Sequence, residues 1–262
     1  MRLIFIGDVV GEPGRLALYR AIPELRAEFS PALVVVNGEN AAGGRGITPR
    51  LCEEFFTKGV DVITLGDHVW DQPDLVSWID SEPRVLRPFN LQDGTPGNGS
   101  IMVDTAEGLV GILCLRGRTF MPPGPENPFT TGMVEAQRLR SNGACTVLVD
   151  IHAETTSEKI AMAHRLDGVA GAVLGTHTHV QTADARLLPG GTAALTDVGM
   201  CGSRDGIIGR EAADVLHGCI SAMPCKLPIG GWPARVSGAI VDIEPTTGKA
   251  TNIQAFNRDY DR

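Results

Sequence analysis

Eight short apolar runs punctuate the chain, at Leu3–Gly7, Leu33–Asn37, Val60–Gly66, Leu109–Leu115, Thr146–Ile151, Val169–Gly175, Ala193–Thr196 and Val236–Ile243. Most are nearly continuous in Val, Ile and Leu. A strand with one wet face alternates apolar and polar residues; a strand covered on both faces does not. Between the runs lie stretches with helical spacing: Arg15–Phe29, Arg50–Lys58, Met133–Ser141 and Thr156–Leu166. Thr48-Pro49 reads as an N-cap followed by proline at the first helical position. Strands covered on both faces and alternating with helices predict an α/β fold with a largely parallel core. Arg87–Ser100 and Thr119–Gly132, rich in Pro, Gly and Asn, read as long loops near the functional site. No repeat or linker breaks the pattern, so one domain over residues 1–262 is expected.

Composition narrows the function. The net charge is −8 over 262 residues, and an acidic surface repels polyanions, which argues against general nucleic-acid binding. A small phosphate ester stays admissible, because bound cations reverse the sign locally. None of the six cysteines forms a CxxC pair; Cys114 and Cys145, inside apolar runs, read as buried small hydrophobes. The chain starts on a strand-like segment without a signal peptide, and no apolar stretch approaches the ~20 residues that span a bilayer. No membrane association and a cytoplasmic location are expected. His164 and His217 fall in helical stretches, as surface or packing residues. Trp70, Trp78 and Trp232 read as packing residues.

The chemistry sits where the apolar runs stop. The first ends in Asp8, the second in Gly38-Glu39-Asn40, the third in Asp67-His68. The fifth ends in His152-Ala153-Glu154 and the sixth in Thr176-His177-Thr178-His179. In open α/β sheets such ends converge on one crevice. Asp8, Glu39 and Asp67 offer anionic oxygens, Asn40 a neutral oxygen, and His152, His177 and His179 imidazole nitrogens. Each could singly be a turn, cap or core residue, but five polar strand ends together point to cations. The mixture suits iron, manganese or zinc better than calcium or magnesium. Seven donors exceed one tetrahedral ion and fit two sharing a bridging carboxylate. Three carboxylates against two divalent ions leave the site near neutral, able to accept phosphate. His177 and His179 would share a face in a strand but can diverge in a turn, one toward each ion. Gly38 eases the bend that Glu39 and Asn40 both require. Asp150 and Glu154, flanking His152, are either partners of a ligand histidine or turn residues. Gly43-Gly44-Arg45-Gly46 is either a tight turn or a loop whose amides and Arg45 contact substrate.

These motifs resemble the calcineurin-like metallophosphoesterase signature: Asp8 after a strand, Gly66-Asp67-His68, His152, and Gly175-Thr176-His177-Thr178-His179. The closer resemblance is to its YmdB-like branch of bacterial cyclic-nucleotide phosphodiesterases. It is carried by Ile6-Gly7-Asp8-Val9-Val10-Gly11, Asn37-Gly38-Glu39-Asn40-Ala41-Ala42-Gly43-Gly44, Asp150–Lys159 and Gly175–Thr182, and runs over almost the whole chain. The resemblance implies a four-layer αββα sandwich, two mixed sheets flanked by helices, which amends the simpler parallel sheet. It implies one ion on Asp8, Glu39, Asn40 and His179. A second would sit on Glu39, Asp67, His152 and His177, with Glu39 bridging. It further implies His68 as catalytic acid, iron or manganese as metal, 2′,3′-cyclic nucleotides as substrates, and a homo-oligomer. Two departures stand out. Asp8 is followed by Val9-Val10 where the superfamily has Asp-x-His, and Asn40 takes that place. Asp67 stands where the turn usually carries Asn, and its charge would hold its ion tighter while making it a weaker Lewis acid.

The expected reaction is in-line attack on phosphorus by a metal-bound hydroxide, with His68 protonating the leaving ribose oxygen. Two alternatives stay open: a phosphomonoesterase or nucleotidase on the same metal pair, or a slow-turnover regulatory protein that responds to a nucleotide.

Overall fold

The computed structural model describes all 262 residues. The chain begins with β1 (Arg2–Ile6), β2 (Asp8–Val9), α1 (Gly11–Phe29), β3 (Leu33–Asn37), α2 (Pro49–Thr57), β4 (Val62–Thr64), α3 (Pro73–Trp78) and β5 (Val85–Leu86). It continues through β6 (Ser100–Thr105), β7 (Gly108–Arg116), α4 (Pro128–Ser141), β8 (Thr146–His152), α5 (Thr156–Arg165) and β9 (Ala172–Thr176). The last elements are β10 (Arg186–Leu187), β11 (Ala193–Leu195), β12 (Met200–Ser203), α6 (Ala212–Ser221), β13 (Ala234–Glu244) and β14 (Lys249–Tyr260).

They form two mixed sheets. The first runs β2-β12-β13-β1-β3-β4-β5, with β14 paired to β13; the second runs β10-β11-β9-β8-β7-β6. β1, β3, β4 and β5 are parallel, as are β7, β8, β9 and β11, while β13, β14, β6 and β10 add antiparallel pairs.

The continuous apolar runs follow from this layering. On β1, Leu3 and Phe5 point between the sheets, where they meet Val110, Ile112, Leu148 and Leu174 of the second sheet. Ile4 and Ile6 point the other way, under α1 and α2, with Leu18, Ile22 and Phe55. On the far side, Leu113, Leu115, Val147 and Val149 pack beneath α4 and α5 with Leu139 and Met162. Alternate residues thus serve different apolar layers, and each fully buried side chain contributes roughly 1.5–3 kcal/mol. The result is the expected αββα sandwich.

Boundaries differ in instructive places. α1 starts at Gly11 rather than Arg15, because Gly14 packs so tightly on β12 that a Cβ would lie 2.1 Å from the Cys201 carbonyl oxygen. α4 starts at Pro128, inside the expected second loop, with the Asn127 side chain accepting from Phe129 N. At α2, the Thr48 hydroxyl accepts from Leu51 N, as the Thr-Pro pair predicts. β6 and β14 are additional strands, too polar to stand out as apolar runs. His164 and His217 do lie on helices, and the three tryptophans pack partly buried against the first core. Cys114 is buried, but Cys145 is only half-buried, since it lies just before the N-terminal end of β8. No helix is long and apolar enough to cross a membrane.

Candidate active site

The first sheet delivers the oxygens. Asp8 is on β2, fully buried; Glu39 and Asn40 follow β3, and Asp67 follows β4. Gly66 explains why Glu39 and Asp67 come so close. A Cβ there would stand 2.1 Å from Glu39 Oε2 and 2.3 Å from His152 Nε2, so only glycine admits both.

The second sheet delivers the nitrogens. His152 ends β8 with its ring fully buried, and His177 and His179 follow β9. Both turn histidines have positive φ, 94° and 65°, and the turn sends their rings apart. His177 Nδ1 lies 3.0 Å from His152 Nε2 and 3.3 Å from Asp67 Oδ1. His179 Nε2 lies 3.3 Å from Asn40 Nδ2 and 3.8 Å from Asp8 Oδ1. Its Nδ1 donates to the Ile208 carbonyl at 3.1 Å, which leaves Nε2 free of a proton in the neutral ring.

Glu39, Asp67, His152 and His177 bring ligand atoms within 4.8 Å of one another, a group that could hold a metal ion. Glu39 Oε1 and Asp67 Oδ1 lie 3.0 and 3.1 Å from His152 Nε2. Asp8, Asn40 and His179 gather on the other side of Glu39, whose Oε1 accepts from Asn40 Nδ2 at 3.2 Å. The electrostatics describe a surplus of buried negative charge. Burial, with Glu39 and Asp197 nearby, pushes the Asp8 carboxyl up despite His179 and His152. Burial also opposes charge on Asp67, yet hydrogen bonds from His152 and His177 hold its carboxyl well below the usual range. Burial opposes a charged His152 too, but Glu39, Asp67 and Asp8 outweigh it and hold its proton well above neutrality. Asp8 Oδ1 is buried without any hydrogen-bond partner. An orphaned carboxylate oxygen beside oxygen and imidazole donors fits a transition-metal cation.

Around these donors stand residues whose roles the sequence left open or did not mark at all. Asp150, fully buried, accepts from Asn37, Thr64 and Thr176, and burial pushes its carboxyl up to about 6. Glu154, the other residue flanking His152, reaches His177 Nε2 at 3.1 Å. Asp71 Oδ2 lies 3.0 Å from His68 Nδ1. A buried pair, Lys159 Nζ to Asp197 Oδ2 at 2.6 Å, stands behind the His177–His179 turn, and Asp197 also accepts from Thr178 N at 3.1 Å. Such partners become legible only once the strands are placed.

A cavity of about 310 Å³ opens over the cluster, lined by Glu39, Asn40, His68, His177, His179 and Arg210, among others. Arg45 is not among the residues that line it; two-thirds exposed, its Nε lies 3.7 Å from Asp71 Oδ2. Arg210 takes the inner position and ties the glycine-rich loop down by donating to Gly44 O at 2.8 Å.

The family model described as YmdB-like protein matches residues 4–256. The chain is 41% identical over 257 residues to the 2′,3′-cyclic-nucleotide 2′-phosphodiesterase of Bacillus subtilis (strain 168), covering 97% of this chain and 96% of that protein. Among solved structures, a hypothetical protein from Thermus thermophilus superposes with a TM-score of 0.91 at 39% identity, covering 99% of both chains. A novel phosphatase from Mycoplasma pneumoniae superposes with a TM-score of 0.92 at 30% identity, covering 100% of this chain and 94% of that one. Sequence motifs, layered fold and near full-length matches agree, and the chain belongs to the YmdB-like family.

Proposed function

We propose that this chain, as one catalytic unit over residues 1–262, hydrolyses 2′,3′-cyclic nucleotides at a pair of transition-metal ions. The observation that carries the reading is the gathering of Glu39, Asp67, His152 and His177 within 4.8 Å of one another, beside the unpartnered Asp8 Oδ1 that lies 3.8 Å from His179 Nε2. The substrate class follows the activity for which the Bacillus subtilis relative is named. Asp8, Glu39, Asn40 and His179 would hold one ion, and Glu39, Asp67, His152 and His177 the other, with iron or manganese suited to this donor set. Bound ions would neutralise the phosphoryl oxygens and supply a water of lowered pKa.

The chain's own residues do the rest. His68 lines the cavity, with Nδ1 facing Asp71 and Nε2 left for the leaving oxygen. Asp71 Oδ2, 3.0 Å from Nδ1, orients the ring so that Nε2 can serve the leaving oxygen as the general acid. His68 N donates to Glu39 Oε2 at 3.3 Å, which ties the acid to the metal-side carboxylate. Arg210 lines the cavity and holds Gly44 O, and the exposed Arg45, facing Asp71, adds positive charge for an incoming anion.

The test is hydrolysis of 2′,3′-cyclic AMP by protein as purified, chelated, and reconstituted with Mn²⁺ or Fe²⁺. Activity lost on chelation and restored by metal is expected. A second reading, a phosphomonoesterase on the same ions, is favoured by the name of the Mycoplasma structure. Turnover of a nucleoside monophosphate but not of the cyclic diester, with both ions bound, selects it.

A further inference from the structure

Two buried side-chain polar atoms lack a hydrogen-bond partner: Asp8 Oδ1 and Arg116 Nε. The first faces the metal cluster. The second belongs to no motif. Arg116 ends β7 and is 6% exposed. It pairs in register with His152 on β8, so its side chain leaves the same face of the sheet. Its guanidinium carries five donors, yet it makes one hydrogen bond, from Nη2 to Pro122 O at 2.7 Å. Burying Nε without a partner costs stability unless another group completes it.

Arg116 lines a cavity of about 270 Å³ together with Asp67, Trp70, Leu91, Gln92 and Thr95. Its walls come from the turn after β4 and from the two loops that read as functional in the sequence. Asn90, 1% exposed, locks them together: Nδ2 donates to Arg116 O at 2.8 Å and Glu126 O at 2.9 Å, while Oδ1 accepts from Arg116 N at 2.9 Å. The cavity is therefore built before any ligand arrives. It touches the metal cluster through Asp67 and shares no lining residue with the cavity that His179 lines.

The chemistry of the walls chooses the ligand. Asp67 disfavours a second phosphate there. An aromatic ring and apolar contacts from Val69 and Leu91 suit a neutral planar group. Whole-ligand pockets run roughly 300–1,000 Å³, so this volume suits a base rather than a nucleotide. An arginine offers only donors, in a fork that matches two adjacent acceptors. Guanine presents O6 and N7; adenine presents N7 beside an amino donor, which would oppose the fork.

We propose that this cavity is the base subsite of the reaction and selects guanine, with Arg116 donating to O6 and N7 and Trp70 forming the stacking wall. The proposal rests on the phosphodiesterase reading for its substrate, but its test is a binding measurement. Guanosine and adenosine 3′-monophosphates are titrated calorimetrically into metal-loaded protein. Guanosine monophosphate should bind at least about fivefold more tightly. Arg116→Lys keeps the charge and loses the fork, and should bring the two affinities within about twofold of each other at full metal content. Trp70→Ala, at a half-buried position, should weaken both nucleotides by about fivefold or more. Equal affinities in the parent protein, equal weakening of both nucleotides in Arg116→Lys, or undiminished binding in Trp70→Ala each overturns the subsite. A guanine preference that depends on Arg116, without hydrolysis of either cyclic nucleotide, keeps the subsite and rejects the reaction. Hydrolysis without base preference does the reverse.

Discussion

The hydroxyl of Thr176 stands 2.8 Å from Nδ1 of His152 and gives its own proton to Asp150 Oδ1 at 2.7 Å. Because that proton is committed, the hydroxyl accepts the Nδ1 hydrogen of His152 and leaves Nε2 to face Glu39 and Asp67. Asp150 is held in turn by Thr64 and Asn37 at 2.6 and 3.0 Å. Thr176→Val keeps the shape and removes the acceptor. Metal affinity should fall about 10–100-fold, the usual effect of losing a ligand's orienting partner. Metal titration with circular dichroism checks this; unchanged affinity in a folded variant removes Thr176 from ligand positioning.

Gly66 tests the closeness of the two sheets' contributions. In Gly66→Ala the new methyl would fall on Glu39 Oε2 and His152 Nε2. One ion per chain should be lost, with overpacking costing on the order of 1–3 kcal/mol. Elemental analysis beside a thermal melt reads both, and two ions retained at full affinity would contradict the proposed geometry.

The His68–Asp71 pair separates chemistry from metal binding. His68→Ala should lose about 10²–10⁴-fold in kcat at full metal content. Asp71→Asn should lose less in kcat, because it removes only the carboxylate 3.0 Å from Nδ1 that orients the ring. Normal kcat in metal-replete His68→Ala assigns the proton transfer to another group.

Lys159 and Asp197 are both buried, and Asp197 also holds Thr178 N and Gly199 N. Lys159→Met leaves a buried carboxylate unanswered, a change that costs about 3–5 kcal/mol. Urea denaturation should show this loss, and Lys159→Met with Asp197→Leu should recover part of it. A single variant as stable as the parent would mean that water reaches Asp197.

Asp184 supplies a pH signature away from the metal donors. Burial alone would raise its carboxyl, but hydrogen bonds from Thr196 and Thr182 hold it below the usual range. A depressed folded-state pKa contributes stability above the unfolded value of roughly 3.9 and loses it as pH falls through the folded pKa. The stability gap between parent and Asp184→Asn should be full at neutral pH and shrink below about pH 4. A gap that stays constant down to about pH 2 would falsify the assignment.

Much of this was legible in the sequence, for a physical reason. A strand buried on both faces must be apolar throughout, so β1, β3, β7, β8 and β9 announce themselves, and the polar residues that end them stand out by contrast. The His177–His179 divergence was readable only as an option: the spacing sets both on one face of a strand, and a turn lets them part. β14 was not: it pairs along one side of β13 and presents Asn252, Gln254 and Asn257 to solvent or to polar partners. Arg116, Asp71 and Asp197 were invisible because nothing local marks them. Their roles arise from β7 lying beside β8, from the turn after β4, and from the loop after β11. Arg45 and Arg210 show the same limit. Both lie near glycine-rich turns, but only the fold places Arg210 in the cavity wall and leaves Arg45 outside it, beside Asp71.

The division of donors between the sheets also orders events in time. Asp8, Glu39 and Asp67 belong to the first sheet, and every histidine donor to the second. On a ribosome the carboxylates emerge first, and the span from Asp67 to His152 takes on the order of ten seconds at ordinary synthesis rates. β1 gains its antiparallel partner only when β13 is made, near the end of translation. The nascent chain thus carries an acidic, half-built site through most of its synthesis, and under the proposed two-ion reading metal capture would be a late step that coincides with closing the sandwich.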